Sequence, residues 1–251
     1  MSTYQISKEK IRISNIKKRF GSMDIISDIS FYANENEFIS LLGPSGSGKS
    51  TVFNIISGLM NKDEGEILID GEVCHGRSEK VSYMHQKDLL LPWKNIVDNT
   101  TLSLIIKGKS KKEARSEVLS HFKTFGLEGF EYKYPFQLSG GMKQRAALLR
   151  TYMSSSDIML LDEPFGALDA ITRSKMHYWL IEMIKELKAT IIFITHDIEE
   201  AIFLSDRIYL LSDKPATIKK EIIVDLPKNR NKDIITSEKF NEIKKSILKI
   251  L

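Results

Sequence analysis

The sequence lacks the features that mark disulfide-linked, membrane-spanning and nucleic-acid-binding proteins. Its 251 residues contain one cysteine, Cys74, which excludes an internal disulfide and suits a reducing compartment. No apolar run approaches the roughly 20 residues that a helix needs to span a bilayer, and the N-terminus lacks the basic-then-apolar layout of a signal peptide. The 37 basic and 33 acidic residues leave a net charge of +4, too balanced to argue for nucleic acid by itself. Any membrane role must therefore involve a partner.

The apolar pattern predicts an α/β fold in three regions, with no internal repeat or low-complexity tract. Residues 1 to about 86 are expected to form strands around one helix, and residues from about 87 to 155 are expected to be mainly helical. Residues 156–212 return to strand and helix in alternation, as a parallel sheet requires. The length fits one large α/β domain or two intimate subdomains.

Three helices are predicted in the middle and at the end of the chain. The first ends near Gly126, and its apolar face consists of Ala114, Val118, Phe122 and Phe125. The second begins beyond Pro135, at a Ser-Gly-Gly sequence. The third follows Thr236-Ser237, a plausible N-cap, with apolar residues Phe240, Ile243, Ile247 and Leu251 at helical spacing.

A glycine-rich segment joins a predicted buried strand, Phe38–Leu42, to a predicted helix whose apolar residues include Val52 and Leu59. This context and the pattern G-x-x-x-x-G-K-[ST] indicate a P-loop, whose backbone N–H groups and helix N-terminus attract phosphates. Lys49 is expected to reach the β- and γ-phosphates, and Ser50 to ligate Mg²⁺. The expected nucleotide-binding residues are Gly43, Pro44, Ser45, Gly46, Ser47, Gly48, Lys49, Ser50 and Thr51.

The segment Ile158-Met-Leu-Leu-Asp-Glu163 is a second apolar run, and it ends in two carboxylates. Hydrolysis of a nucleoside triphosphate needs Mg²⁺ to neutralise charge and a group that orients water. Asp162 is therefore predicted as the metal ligand and Glu163 as the water-orienting residue; the alternative is a strand that ends in acids at a surface turn. His196 follows the apolar strand Thr190–Thr195, where open α/β sheets bind ligands, and it is predicted to reach the γ-phosphate.

Together with Leu138-Ser-Gly-Gly-Met-Lys-Gln-Arg145, these segments resemble the nucleotide-binding subunit of ATP-binding cassette (ABC) transporters over nearly the whole chain. Gly43–Thr51 resembles the Walker A loop, Leu138–Arg145 the signature, Asp157–Glu163 the Walker B strand, Phe165–Asp169 the D-loop and His196 the switch histidine. Gln86 resembles the Q-loop glutamine, which in the family senses Mg²⁺ and the attacking water. Phe20 resembles the aromatic residue on which adenine stacks; the alternative is a core phenylalanine of the first strand.

The resemblance implies a P-loop NTPase core of ABC type with a helical signature subdomain and a β subdomain. The nucleotide-binding domain is expected to cover residues 1–230, with the helical subdomain at about 87–155, and a helical tail to cover 231–251. An active ATPase with ATP and Mg²⁺ as cofactors is implied. The implied catalytic residues are Glu163, His196, Gln86 and Lys49, and the implied metal ligands are Ser50, Gln86 and Asp162.

The signature also provides a second anion site, because Ser139, Gly140 and Gly141 open a helix. In the family, two subunits form a head-to-tail homodimer that sandwiches two ATP molecules. The resemblance therefore implies that Ser139, Gly140, Gly141 and Asp169 contact the ATP of the partner copy.

The segment Leu89-Leu-Leu-Pro-Trp93 is similar to one found in importers of the nitrate, sulfonate and taurine type, a group that includes importers of thiamine precursors. This implies an integral-membrane permease as partner, an extracytoplasmic solute-binding protein as an indirect one, no nucleic acid, and a peripheral position on the cytoplasmic face of the membrane. An exporter or lipoprotein-release cassette is the alternative. A soluble ABC mechanoenzyme is less favoured, since the chain lacks a long coiled-coil insertion. A P-loop GTPase or kinase is the other alternative, but Asn61-Lys-Asp-Glu64 lacks the final aspartate of the guanine-reading motif.

Overall fold

The computed structural model describes residues 8–155 and 157–251. The predicted absence of a signal peptide concerns mainly residues 1–7, which lie outside these ranges. The strands are β1 (Glu9–Phe20), β2 (Met23–Asn34), β3 (Phe38–Leu42), β4 (Glu64–Ile69), β5 (Glu72–Val73), β6 (Val81–Met84), β7 (Ile158–Asp162), β8 (Thr190–Thr195), β9 (Arg207–Leu211) and β10 (Ala216–Ile223). The helices are α1 (Lys49–Ile56), α2 (Ile96–Thr100), α3 (Leu102–Ile106), α4 (Lys111–Leu119), α5 (Gly140–Ser154), α6 (Ala170–Leu187), α7 (Ile198–Leu204) and α8 (Glu238–Leu248), with short 3₁₀ helices at Pro135–Gln137 and Lys232–Thr236.

The chain divides into two compact units. One, called the sheet unit, consists of the residues up to Ser78 together with Ala189–Leu251, and the other, called the helical unit, consists of Glu79–Lys188. The sheet unit is therefore discontinuous in sequence. The nucleotide-binding domain predicted for residues 1–230 was assigned by function, whereas these two units are defined by compactness. The predicted domain therefore stays a prediction.

The strands of the sheet unit lie side by side in the order β5-β4-β1-β2-β10-β9-β3-β8. In its parallel part, β3 lies between β8 and β9, and all residues of these three strands are buried. Burial on both faces explains why these strands have nearly continuous apolar sequences. In its antiparallel part, β1 lies between β2 and β4, and burial alternates around Ile11 and Ile13.

Helix α1 follows β3 through the glycine-rich segment, as predicted. Its buried face includes Val52 and Phe53, and the helix ends at Ile56. The chain turns there because Gly58 has a φ of +73°, in the left-handed region. Leu59, expected on the apolar face of the helix, therefore lies beyond the helix and is exposed.

In the helical unit, β6 runs parallel to β7, and the second predicted helix begins after Ser139 as expected. The helix predicted to end near Gly126 ends at Leu119, so that prediction was wrong by about two turns. Ser120 donates its hydroxyl to the Glu117 carbonyl (2.7 Å), and short turns follow it. The last two apolar residues of that predicted face, Phe122 and Phe125, are nevertheless buried.

Helix α8 begins where the sequence predicted. The Ser237 hydroxyl accepts a hydrogen bond from the Phe240 N–H (3.3 Å), and Phe240 and Ile247 are buried. The helix ends at Leu248, so Leu251 lies outside it and is exposed. Within the described ranges, no helix combines the length and the apolar character that crossing a membrane requires.

Two glycines, one near the start of β4 and one just after its end, differ in how much space a side chain would find. Gly65 has a φ of +92°, and a Cβ there would lie 2.5 Å from the carbonyl oxygens of Ser14 and Asn15. Gly71 has a φ of +82°, and a Cβ there would meet nothing within 4 Å. We expect Gly65→Ala to lower the urea midpoint clearly more than Gly71→Ala, because the clash adds about 1–3 kcal/mol to a backbone strain that both variants share. Equal midpoints would contradict this packing.

Candidate functional site

The glycine-rich segment wraps around the side chain of Lys49. Lys49 is 5% exposed, and its Nζ donates hydrogen bonds to the carbonyls of Gly43 (2.8 Å) and Pro44 (2.7 Å). Gly48 precedes α1 with a φ of +103°, a conformation that glycine adopts without strain. Pro44, Ser45, Gly46 and Ser50 form the exposed rim of the loop. The loop thus holds the positively charged ammonium group of Lys49 against its own backbone carbonyls.

The Ser47 side chain lies inside this loop and is 2% exposed. Its hydroxyl oxygen has no hydrogen-bond partner among the described residues, which is costly for a buried polar atom. A Cβ at Gly43 would lie 3.4 Å from this oxygen and 3.0 Å from the Leu211 Cβ. An orphaned hydroxyl and a lysine beside the N-terminus of α1 are groups that fit a phosphate chain.

His196 also belongs to the sheet unit. It follows Thr195 at the end of β8, and Thr195 pairs with Leu42 at the end of β3, so His196 and Gly43 leave the sheet at the same edge. His196 is exposed. The Thr195 hydroxyl is bonded to the buried Glu200 carboxylate and accepts the Asp197 N–H (3.0 Å), which fixes the loop around His196.

Phe20 ends β1 and is half exposed, so the alternative of a core phenylalanine is not what the structure shows. Lys18 Nζ lies 5.6 Å from the centre of its ring and forms an ion pair with Asp63 (2.6 Å). The hydrogen bond from Lys18, together with that from the Arg19 N–H, holds the pKa of Asp63 below its ordinary value. A cavity of about 420 Å³ that includes Lys18, Arg19 and Asp63 lies at this end of the strand.

In the helical unit, the two predicted carboxylates lie at the end of β7. Asp162 is 7% exposed and accepts a hydrogen bond from the Tyr83 hydroxyl (3.0 Å). Glu163 has a φ of +43°, unusual for a residue other than glycine, and Gln86 Nε2 donates to its Oε2 (3.3 Å). The structure therefore brings the predicted Q-loop residue against the predicted water-orienting residue.

The predicted metal ligands are chemically suited to Mg²⁺. Ser50, Gln86 and Asp162 offer oxygen atoms, which Mg²⁺ prefers, and a site shared with nucleotide phosphates needs only one or two carboxylates. The described residues contain no group of three or more His, Cys, Asp or Glu that could hold a metal by itself.

The predicted signature residues open α5. The Ser139 hydroxyl caps the helix by accepting the Met142 N–H (3.4 Å), and Ser139 and Gly140 are exposed. A Cβ at Gly140 would lie 3.1 Å from Leu168 Cδ2, and one at Gly141 would lie 3.2 Å from Thr172 Cγ2. Glycine at these two positions therefore allows close packing against Leu168 and Thr172.

Asp169 precedes α6 and is exposed. Its Oδ1 accepts the N–H groups of Ile171 (3.1 Å) and Thr172 (3.0 Å). The hydrogen bonds from Thr172, followed by that from Ile171, hold the pKa of Asp169 below its ordinary value. Asp169 is thus also a helix cap, a role that the sequence reasoning did not assign.

Sequence reasoning missed three residues that organise this unit: Tyr83, Asn99 and Arg150. The strand alternation that places Tyr83 on one face with His85 was the available signal for the first. Asn99 binds backbone atoms of the loop just before it, and Arg150 reaches the same loop from a position 61 residues later than Leu89. No sequence pattern indicates either contact.

The chain was compared with known protein families and proteins. A family model described as ABC transporter matches residues 26–166, more than half of the chain. The chain is 43% identical over 243 residues to the formylaminopyrimidine import ATP-binding protein ThiZ of Halalkalibacterium halodurans, covering 96% of this chain and 94% of ThiZ. It is 42% identical over 242 residues to the aliphatic sulfonates import ATP-binding protein SsuB of Bacillus cereus, covering 95% of this chain and 94% of SsuB.

Solved structures include a similar protein in a nucleotide-bound state. This is the ATP-binding cassette MJ0796 in a dimeric post-hydrolysis state bound to ADP and Pi, with a TM-score of 0.73 and 32% identity. The match covers 86% of this chain and 100% of that one. These similarities confirm the predicted fold class and the predicted resemblance.

Proposed function

The chain belongs to the ABC transporter family and is an ATP-binding, ATP-hydrolysing subunit, and from that premise we propose that it is the motor of an importer for a small solute. The observation that best supports the catalytic part is the hydrogen bond from Gln86 to Glu163, directly after Asp162. A water-orienting carboxylate held beside a metal-ligating one is the arrangement that phosphoryl transfer to water needs.

In this proposal the residues of the glycine-rich segment hold the phosphates of ATP. Lys49 neutralises charge on the β- and γ-phosphates, and the buried hydroxyl of Ser47 finds its partner there. Phe20 stacks on adenine, and its exposure leaves the ring accessible. Mg²⁺, when bound, neutralises the developing negative charge; Ser50, Gln86 and Asp162 are its proposed ligands.

Glu163 orients the attacking water, and His196 contacts the γ-phosphate. The left-handed backbone of Glu163 sets the direction of its side chain, and the bond from Gln86 limits its rotation. The loop of His196 is fixed through Thr195. Both residues are thus held before the reaction rather than ordered by it.

A second copy of the chain completes each site. The exposed Ser139 and Gly140 open α5, where N–H groups and the helix dipole favour an anion, and Gly141 extends that row of N–H groups. We assign these three residues to the γ-phosphate of ATP bound by the partner copy, and Asp169 to the segment that runs between the two ATP sites. The similar cassette MJ0796 is dimeric, which supports a homodimer here.

A surface of exposed apolar side chains in the helical unit, here called the aromatic surface, is the proposed permease contact. Its residues are Leu89, Trp93, Tyr132, Tyr134 and Phe136. The N–H groups of Ile96 and Val97 donate to the carbonyls of Lys133 (2.9 Å) and Glu131 (2.8 Å), which joins the two segments that carry these side chains.

The loop that carries Leu89 and Trp93 is held by a half-buried arginine and a buried asparagine. Arg150 donates to the carbonyls of Leu89 (2.7 Å) and Asp88 (2.6 Å). The amide of Asn99 accepts the Leu91 N–H (2.7 Å) and donates to the carbonyls of Leu91, Lys94 and Asn95. A surface that is already ordered loses little conformational entropy on binding, which favours its use as a docking surface.

Trp93 is 71% exposed and Phe136 77%, so either can be removed without opening the core. We expect Trp93→Ala and Phe136→Ala each to weaken the complex with the permease by about 2 kcal/mol, roughly 30-fold, as for an aromatic anchor. Leu248→Ala, an exposed apolar residue of the sheet unit, is the control. Copurification at graded detergent and salt measures the effect, and equal retention of all variants would exclude this surface.

The relatives ThiZ and SsuB are named for import of formylaminopyrimidine and aliphatic sulfonates. We propose that the solute here is likewise small, of the sulfonate, nitrate or pyrimidine kind, and that the permease and an extracytoplasmic solute-binding protein select it. The chain then works at the cytoplasmic face of the membrane as a peripheral subunit, without nucleic acid as partner.

Purification of the tagged chain from native membranes in a mild detergent tests this function. We expect a multi-span permease in the eluate, and an ATPase rate that rises when the solute-binding protein is added with its solute. Ribosomes or nucleic acid in place of a permease would contradict the importer assignment. A copurified permease whose complex hydrolyses ATP but moves solute outward would contradict the proposed direction of transport.

A further inference from the structure

The first residues to consider lie on β6, beside the strand that carries the two carboxylates. β6 and β7 are parallel, and Tyr83 pairs with Leu160. Since side chains alternate between the faces of a strand, Asp162 lies on the same face as Leu160, one step further toward the carboxyl end. A tyrosine is long enough to span that step, and its Oη lies 3.0 Å from Asp162 Oδ2.

The direction of this hydrogen bond is settled by the chemistry of the pair. An ionised carboxylate can only accept a hydrogen bond, so the phenol hydroxyl of Tyr83 is the donor and Asp162 Oδ2 the acceptor. The His85 ring lies 4.0 Å from the Tyr83 ring, centre to centre, and limits how far Tyr83 can swing away.

Each of the two consecutive carboxylates thus receives a hydrogen bond from β6 or the residues directly after it. Tyr83 bonds Asp162, and Gln86 bonds Glu163. The last torsion of an aspartate is soft, so hydrogen-bond partners decide how far its carboxylate rotates. A donor on Oδ2 restricts that rotation and sets the direction in which the carboxylate presents its oxygens.

We propose that Tyr83 is a positioning residue that orients the Asp162 carboxylate for the divalent cation bound with ATP. The inference rests on the proposed role of Asp162 as a metal ligand. Partners that hydrogen-bond to metal ligands commonly change metal affinity when they are removed. Tyr83 contributes no ligand atom itself; it sets how strongly the cation tightens nucleotide binding.

The test compares the affinity for a fluorescent ATP analogue with Mg²⁺ and with EDTA, in a Glu163→Gln background that does not turn over. The ratio of the two affinities is the gain from Mg²⁺. We expect Tyr83→Phe, which keeps the ring and removes the hydroxyl, to reduce that gain about tenfold and to leave the affinity in EDTA unchanged. In the hydrolysing chain, the Mg²⁺ concentration for half-maximal rate should rise by a similar factor, and excess Mg²⁺ should restore kcat.

Tyr152→Phe is the matched control, because Tyr152 is a partly buried tyrosine of the same unit whose ring contacts His121 and Phe125. It should leave the gain from Mg²⁺ unchanged. An unchanged gain in Tyr83→Phe would overturn the proposal, and so would an equal loss of affinity in EDTA, which would indicate a structural role.

Asp162→Asn separates this inference from the function on which it rests. If Asp162→Asn abolishes the gain from Mg²⁺ while Tyr83→Phe does not change it, the positioning role of Tyr83 is wrong and the metal-ligand assignment stands. If Asp162→Asn keeps the full gain, the metal-ligand assignment itself is wrong.

Discussion

Replacing Glu163 by glutamine is expected to lower the rate of ATP hydrolysis by at least about 100-fold, the range lost with a general base, while ATP affinity stays close to that of the wild type. The substitution keeps the size of the side chain and removes its charge. Gln86 keeps a hydrogen-bond acceptor at that position, so the local structure should persist. Steady-state hydrolysis and equilibrium binding of a fluorescent ATP analogue measure the two effects separately.

The same variant should accumulate as a dimer when ATP is added, because hydrolysis is the step that releases the two copies. Sedimentation velocity with ATP and with ADP checks this. Glu182→Gln, which neutralises an exposed glutamate of the same unit, is the control and should hydrolyse ATP normally. Retained hydrolysis in Glu163→Gln would remove Glu163 from the catalytic role.

Replacing Lys49 by alanine is expected to weaken ATP binding itself, by roughly 10–100-fold, because charge-assisted hydrogen bonds to the phosphates are lost. Lys49 is buried within the loop and bonded to two of its carbonyls. Isothermal titration with ATP measures the loss, and thermal unfolding confirms that the variant is folded.

Lys62→Ala is the control for charge, since Lys62 lies in the same unit a short distance beyond α1. It should bind ATP with unchanged affinity. A Lys49→Ala chain that is folded and binds ATP as tightly as the wild type would contradict the assignment of the glycine-rich segment to phosphate.

The elements that the sequence predicted best are those whose burial is complete. β3, β7 and β8 are buried at every position and mostly apolar because both their faces are covered, and their ends are marked by a glycine loop, two acids and a histidine. The P-loop and the start of α5 were predicted because their chemistry depends on consecutive residues. Local sequence is enough for such features.

The features that were missed depend on contacts between distant residues. The helix predicted to reach Gly126 stops at Leu119, although Phe122 and Phe125 are buried as a helical face would be. Burial in turns and burial in a helix give the same apolar spacing over so short a segment. The bonds of Tyr83 to Asp162 and of Arg150 to Leu89 join residues 79 and 61 positions apart, which no local pattern reveals.

The central claim, that one ATP is handled by two copies of this chain, is tested most directly by mixing two inactive variants. Lys49→Ala disables the phosphate loop. Ser139→Asp keeps a good helix cap at α5 but places a negative charge where the γ-phosphate of the partner's ATP would lie. Ser139→Asn, which caps the helix without that charge, is the control for folding.

ATP hydrolysis is measured for each variant alone and for an equimolar mixture. A mixed dimer contains one site with an intact loop from one chain and an intact signature from the other. The account predicts that the mixture regains activity, up to about a quarter of the wild-type rate, since random pairing makes half of the dimers mixed. A mixture no more active than its separate components would contradict the account.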